Sequence, residues 1–137
     1  MPTPKLGQKA SIKRSFSEQD VNDFARISGD FNPIHVDPEF AKTTIFGQRI
    51  VHGVLVSSLF SSLLAEEVPG KGSIYLGQTY KFQKPVFLDQ TVTATVEVIN
   101  IREDKPIVTL NTVCTNDKGE TVISGEAVLM FNPEIEN

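Results

Sequence analysis

The run GVLVSSLFSSLLAE, from Gly53 to Glu66, decides how this chain folds. Val54, Leu55, Val56, Leu59, Phe60, Leu63 and Leu64 cover most of a helix circumference, and Ser57, Ser58, Ser61 and Ser62 fill the gaps between them. A helix that is apolar nearly all round belongs in an interior, with small serines where neighbouring backbone comes close. Pro69, Gly70 and Gly72 end it. The apolar stretch is too short to cross a bilayer, which takes about 20 residues. A buried helix needs a wrapping.

The wrapping is legible downstream. Ile74, Leu76, Tyr80 and Phe82 recur with period two, as do Val92, Ala94, Val96 and Val98. Val108, Leu110, Thr112 and Cys114 continue the pattern, and so do Thr121, Ile123, Ala127, Leu129 and Phe131. Period two is the mark of strands with one buried face. Asp104-Lys105-Pro106 and Asn116-Asp117-Lys118-Gly119 read as hairpin turns. Long antiparallel strands behind one buried helix predict an α+β domain whose sheet curls around that helix.

Upstream, Ala10, Ile12 and Phe16 mark a short strand. Ser17 with Asp20 opens a helix as a short capping box; Val21, Phe24, Ala25 and Ser28 carry it, and Gly29 is placed to stop it. Pro33 and Pro38 interrupt the stretch from Asp30 to Phe46, which reads as loop with a short helix near Pro38 to Lys42. Asn132 to Asn137 reads as a frayed acidic end.

The 137 residues suit a single domain spanning 1–137, large enough to fold without disulfides or metal. The net charge of −4 argues against nucleic acid as a partner, because phosphate neutralisation needs a basic surface. The single cysteine, Cys114, has no internal partner and favours a reducing compartment. Met1 to Ala10 contains no apolar stretch of signal-peptide length. A cytoplasmic protein without membrane contact is expected.

Chemistry concentrates in Asp30-Phe31-Asn32-Pro33-Ile34-His35-Val36-Asp37-Pro38. The chain has two histidines, His35 and His52, both in or near this irregular region. Asp30 and His35 on a proline-braced loop could converge on one water, one group removing a proton and the other supplying one. The same spacing also fits a capping aspartate and a solvated histidine. His52-Gly53 stands at the start of the buried helix, whose free N–H groups could hold a carbonyl oxygen gaining negative charge. Gly53 would equally serve a tight entry turn.

Other constellations are weaker. His35, Asp37 and His52 match the ligand types of a two-histidine, one-carboxylate iron site, but Pro33 and Pro38 bracket the first two and no zinc-type spacing exists. No metal is expected. No nucleophile elbow surrounds the helix serines. Gly70-Lys71-Gly72-Ser73 lacks the spacing of a phosphate loop.

Asp30-x-Asn32-Pro33-x-His35-x-Asp37, followed by Ile50-Val51-His52-Gly53 opening an apolar helix, resembles the (R)-specific enoyl-CoA hydratases of the MaoC-like group. The likeness extends through residues 69–78, 102–106 and 125–128, and is strongest to the short single-domain hydratases that link fatty-acid oxidation to polyhydroxyalkanoate synthesis. The resemblance implies a hot-dog fold paired into a homodimer. It implies Asp30 and His35 as the catalytic pair and Gly53 as the thioester oxyanion donor, with Asn32 and Ser61 supporting the substrate site. Leu64 and Val128 would line an acyl pocket. Coenzyme A would arrive as part of the substrate, with no separate cofactor, and Arg49, Lys71 and Lys84 are candidates for its phosphates. An acyl-CoA thioesterase would use the same carbonyl site with water directed to C1. A noncatalytic acyl-thioester sensor would need no acid–base pair.

Overall fold

In the computed structural model, which describes residues 3–132 and Glu134, the chain runs β1 (Lys9–Arg14), α1 (Glu18–Ser28), α2 (Pro33–Val36), α3 (Pro38–Lys42), α4 (Gly53–Glu66), β2 (Ile74–Gln78), β3 (Lys81–Phe82), β4 (Val92–Ile101), β5 (Ile107–Asn116) and β6 (Thr121–Met130). Of the terminal stretch read as frayed, only Asn132 and Glu134 are among the described residues.

The strands form one antiparallel sheet in the order β1-β4-β5-β6-β2, with β3 also on β6. Its registers put Ala94 opposite Cys114 and Leu110 opposite Ala127. Ala94, Val96, Val98, Val108, Leu110, Cys114, Ala127 and Leu129 all turn inward, each 2% exposed or less. Helix α4 lies against β4 and β1 and buries Val56, Leu59, Phe60, Leu63 and Leu64 in that core. Each such side chain contributes about 1.5–3 kcal/mol by leaving water. This is the curled sheet around one long helix that the alternation requires.

Helix α1 follows its caps. The Ser17 hydroxyl accepts from the Asp20 N–H, the Asp20 carboxylate accepts from the Ser17 N–H, and Gly29 turns left-handed at φ 82°.

Two expectations need correction. Helix α4 is not buried all round: Val54, Ser58, Ser61, Ser62 and Ala65 are exposed, with Val54 at 62%. The sheet of a single chain covers one side of the helix and leaves the other open. The stretch read as one strand over 74–82 is two short ones, with a bulge between Tyr75 and Gly77 and a break before Lys81. The break lies where this segment crosses β6: a Cβ on Gly125 would sit 1.8 Å from the Thr79 carbonyl oxygen. Ile74, Leu76, Tyr80 and Phe82, expected to face a core, are instead exposed. Of these, Phe82 stands with Val54 at one cleft and Tyr80 packs beside Phe82.

Candidate active site

The loop after α1 is built from side chains that serve as backbone partners. The Asp30 N–H donates to Ser28 Oγ, and Asp30 Oδ1 accepts from the Asn32 N–H at 3.2 Å. Asn32 in turn caps α2, its Oδ1 accepting from the Ile34 N–H, with Pro33 as the first helical residue. This single helical turn carries His35. It went unread in the sequence, although a capping asparagine followed by proline is a helix-start signal. Asp37 caps α3 by accepting from the Glu39 and Phe40 N–H groups. Asp37 is not part of the group that brings Asp30, His35 and His52 together.

The strap before α4 orients the ring. The Ile50 N–H donates to the Ile34 carbonyl at 3.3 Å, and His35 Nδ1 lies 2.8 Å from the Ile50 carbonyl. A carbonyl only accepts, so Nδ1 carries the hydrogen, and in the neutral ring Nε2 then has its lone pair for another partner. Arg49, 8% exposed, donates through Nε to the His35 carbonyl and through its terminal nitrogens to Glu18 and Asn22 on α1. Arg49 therefore fastens the loop to α1 and is not free for a phosphate. A charged residue just before a helix gave no signal of that role.

His52 lies behind His35. Its ring stacks on His35 at a centroid distance of 3.9 Å, and the edge of Phe24 meets it at 4.8 Å. Its Nε2 donates to the Asp30 backbone carbonyl at 3.0 Å, and the residue is 1% exposed. Burial lowers the His52 pKa below the ordinary imidazole value; the Asp30 carbonyl opposes this and the neighbouring His35 adds to it.

One donor atom from each of Asp30, His35 and His52 lies within 4.8 Å of the other two. These are the groups among the described residues that could surround a cation, yet each imidazole already gives one nitrogen to a backbone carbonyl. The carboxylate and His35 have the reach to share one water. Beside them opens a cleft of about 430 Å³, lined by His35, Ile50, Gly53, Val54, Phe82 and Lys84 among others. His52 caps α4 without a side-chain hydrogen bond, so the helix presents a bare N-terminus at Gly53. A Cβ on Gly53 would meet the Phe82 ring at 2.7 Å. Glycine keeps this corner open.

The remaining expected residues stand apart. Ser61 is exposed on the outer side of α4. Leu64 lies in the core at 1% exposure, and Val128, half-buried, points away from the core side that Ala127 and Leu129 share. Neither lines the cleft. Lys84 lines it while donating to Glu120 at 2.7 Å, and Lys71 is exposed elsewhere.

A curled sheet around a central helix, with an acid and a histidine beside the helix N-terminus, defines a hot-dog domain of acyl-thioester chemistry. The MaoC like domain family matches residues 2–118, and the chain belongs to it. It is 53% identical over 125 residues to the (R)-specific enoyl-CoA hydratase of Aeromonas caviae, covering 91% of this chain and 93% of that one. The solved structure of the (R)-hydratase from A. caviae involved in PHA biosynthesis superposes with a TM-score of 0.93 at 51% identity, over 95% of this chain and 98% of that one. An R-hydratase of Pseudomonas aeruginosa, solved unliganded, gives a TM-score of 0.90 at 40% identity, over 98% and 88%. A mitochondrial 3-hydroxyacyl-[acyl-carrier-protein] dehydratase of Arabidopsis thaliana is 38% identical over 93% of this chain and 77% of its own.

Proposed function

We infer that this chain is an (R)-specific enoyl-CoA hydratase, adding water to a trans-2-enoyl-CoA to give the (R)-3-hydroxyacyl-CoA, and that it supplies hydroxyacyl-CoA to polyhydroxyalkanoate synthesis. The observation that carries the reading is the meeting of Asp30 and His35 beside the bare N-terminus of α4. Asp30 takes a proton from water, and the oxygen bonds to C3 of the enoyl group. The C2=C3 electron pair moves onto the thioester carbonyl as an enolate, which the Gly53 N–H and the α4 dipole stabilise. His35 Nε2 orients the water and relays the proton held by Asp30 to C2, which restores the Asp30 carboxylate. Reversal of these steps is dehydration. The thioester supplies the activation, so no metal or redox cofactor is required. The (R) outcome follows the similar hydratase of A. caviae.

The working unit is a homodimer. Strand β2 is a sheet edge, and Val54, Ile74, Leu76 and Phe82 are 62, 56, 50 and 52% exposed. Pairing that face with a second copy removes both the open edge and the apolar surface. Ser61, on the same outer side of α4, would then support the substrate by hydrogen bonding. Light scattering that gives 15.1 kDa at micromolar concentration would count against the dimer.

The assay is direct. Crotonyl-CoA should lose its enoyl absorbance without releasing thiol; thiol release means hydrolysis, and neither signal means a binding protein. The product should give no NADH with an (S)-specific 3-hydroxyacyl-CoA dehydrogenase. Rapid NADH formation there overturns the stereochemical assignment.

A further inference from the structure

We propose that His52 is a positioning residue for hydration: one uncharged imidazole that holds the peptide bearing Asp30 and, by stacking, the ring plane of His35. The proposal rests on the hydratase reading above. Asp30 and His35 come from a short loop and a single helical turn, which are weak local supports. His52 touches both. Its Nε2–H fixes the Asp30 carbonyl at 3.0 Å, and its face lies 3.9 Å from the His35 ring. It is itself seated by the edge of Phe24 and by the backbone of α4, for which it is the N-terminal cap.

The other ring nitrogen excludes a direct role in proton transfer. His52 Nδ1 is buried and, among the described residues, has no hydrogen-bond partner. A proton placed there would create an unpaired charge in a dry setting, stacked on the imidazole that must itself carry a proton during turnover. The groups facing His52 are Asp30 and His35, and among them only His35 has a nitrogen left over from its carbonyl bond to meet a water. An aromatic ring with a single fixed donor meets the demand; a cation in its place would oppose a protonated His35. Displacing a reacting group by about 1 Å can cost 10²-fold, which sets the scale expected here.

The test separates His52 from a merely structural residue. His52→Gln keeps a nitrogen donor and loses the ring; His52→Phe keeps the ring and loses the donor. Each should lower kcat for crotonyl-CoA by roughly 10–100-fold while KM stays within about threefold. Placed in a His35→Ala background, His52→Gln should cost less than about threefold, because the ring that its imidazole stacks on is gone. Equal losses in both backgrounds, or a rise in KM with kcat unchanged, would overturn the proposal. Nitrogen NMR of the wild-type chain, which has two histidines, reads the same claim without turnover. His52 should stay neutral, with its hydrogen on Nε2, to a pH below the ordinary imidazole range. A His52 that titrates like a free imidazole, or carries its hydrogen on Nδ1, refutes it. A wild-type chain inert toward enoyl-CoA would sink the hydratase reading instead, and the NMR result would still decide how His52 is held.

Discussion

Helices α1, α2 and α3 begin under side-chain caps, whereas α4 begins bare. Ser17, Asn32 and Asp37 each accept hydrogen bonds from the first turn of the helix they open. His52 caps α4 with no such bond, and its ring is turned instead toward Asp30 and His35. Orphan N–H groups at a helix start need partners, and an N-terminus left bare beside a cleft is suited to a ligand's oxygen. The contrast separates ends that hold the fold from the end that does chemistry.

The strongest way to break this contrast is to remove the groups that work opposite the bare end. Asp30→Asn and His35→Ala should each reduce kcat by roughly 10²–10⁴-fold, the usual range for one acid–base group. Their double variant should lose far less than the product of the two, since both act on one water. Independent, multiplying losses would show that they do not share a step.

Next comes the bare end itself. Gly53→Ala keeps the N–H, and Gly53→Pro deletes it while suiting the first position of a helix. Both are best made with Phe82→Ala, which clears the ring that a Cβ would meet at 2.7 Å. In that background proline should cost roughly 10²–10³-fold in kcat, as loss of one oxyanion donor does. Alanine should cost several-fold at most. Similar activities for the two would mean that the substrate carbonyl does not sit on this N–H.

A capped end should respond the other way. Asp37→Ala removes the acceptor of two N–H groups at the start of α3. Chemical denaturation should show a loss of about 1 kcal/mol, with kcat within about threefold of wild type. A collapse of activity in folded Asp37→Ala protein would return this carboxylate to the site. The smallest effect is expected from dialysis against a strong chelator, which should leave the rate unchanged. Activity lost there and restored by ferrous ion would make Asp30, His35 and His52 ligands rather than an acid–base site.

Much of this organisation is legible in the sequence because it is local. Ser17, Asp20 and Gly29 delimit α1 through contacts within a few residues, and the apolar run fixes both ends of α4. The alternation through β4 and β5 announces its buried face residue by residue, whereas in β6 a register shift buries Val122 beside Ile123. What escaped depends on distance. The stacking of His52 on His35 joins a helical turn to a later strap, and no spacing rule connects them. Arg49 has the composition of a surface cation and the setting of an interior tie, because its partners Glu18 and Asn22 arrive from α1. The open side of α4 escaped for another reason: an apolar pattern records that a surface leaves water and is silent about whose chain covers it.

Gly125 gives the molecule a mechanical linkage. Its lone hydrogen lets the Thr79 carbonyl lie where a methyl carbon would be only 1.8 Å away. Three residues after Thr79 the same segment delivers Phe82 to the mouth of the cleft, against Gly53. A side chain added at Gly125 would therefore force the backbone at Thr79 and Tyr80 to shift. The smallest residue of the last strand thus leaves room for the segment that carries one wall of the cleft.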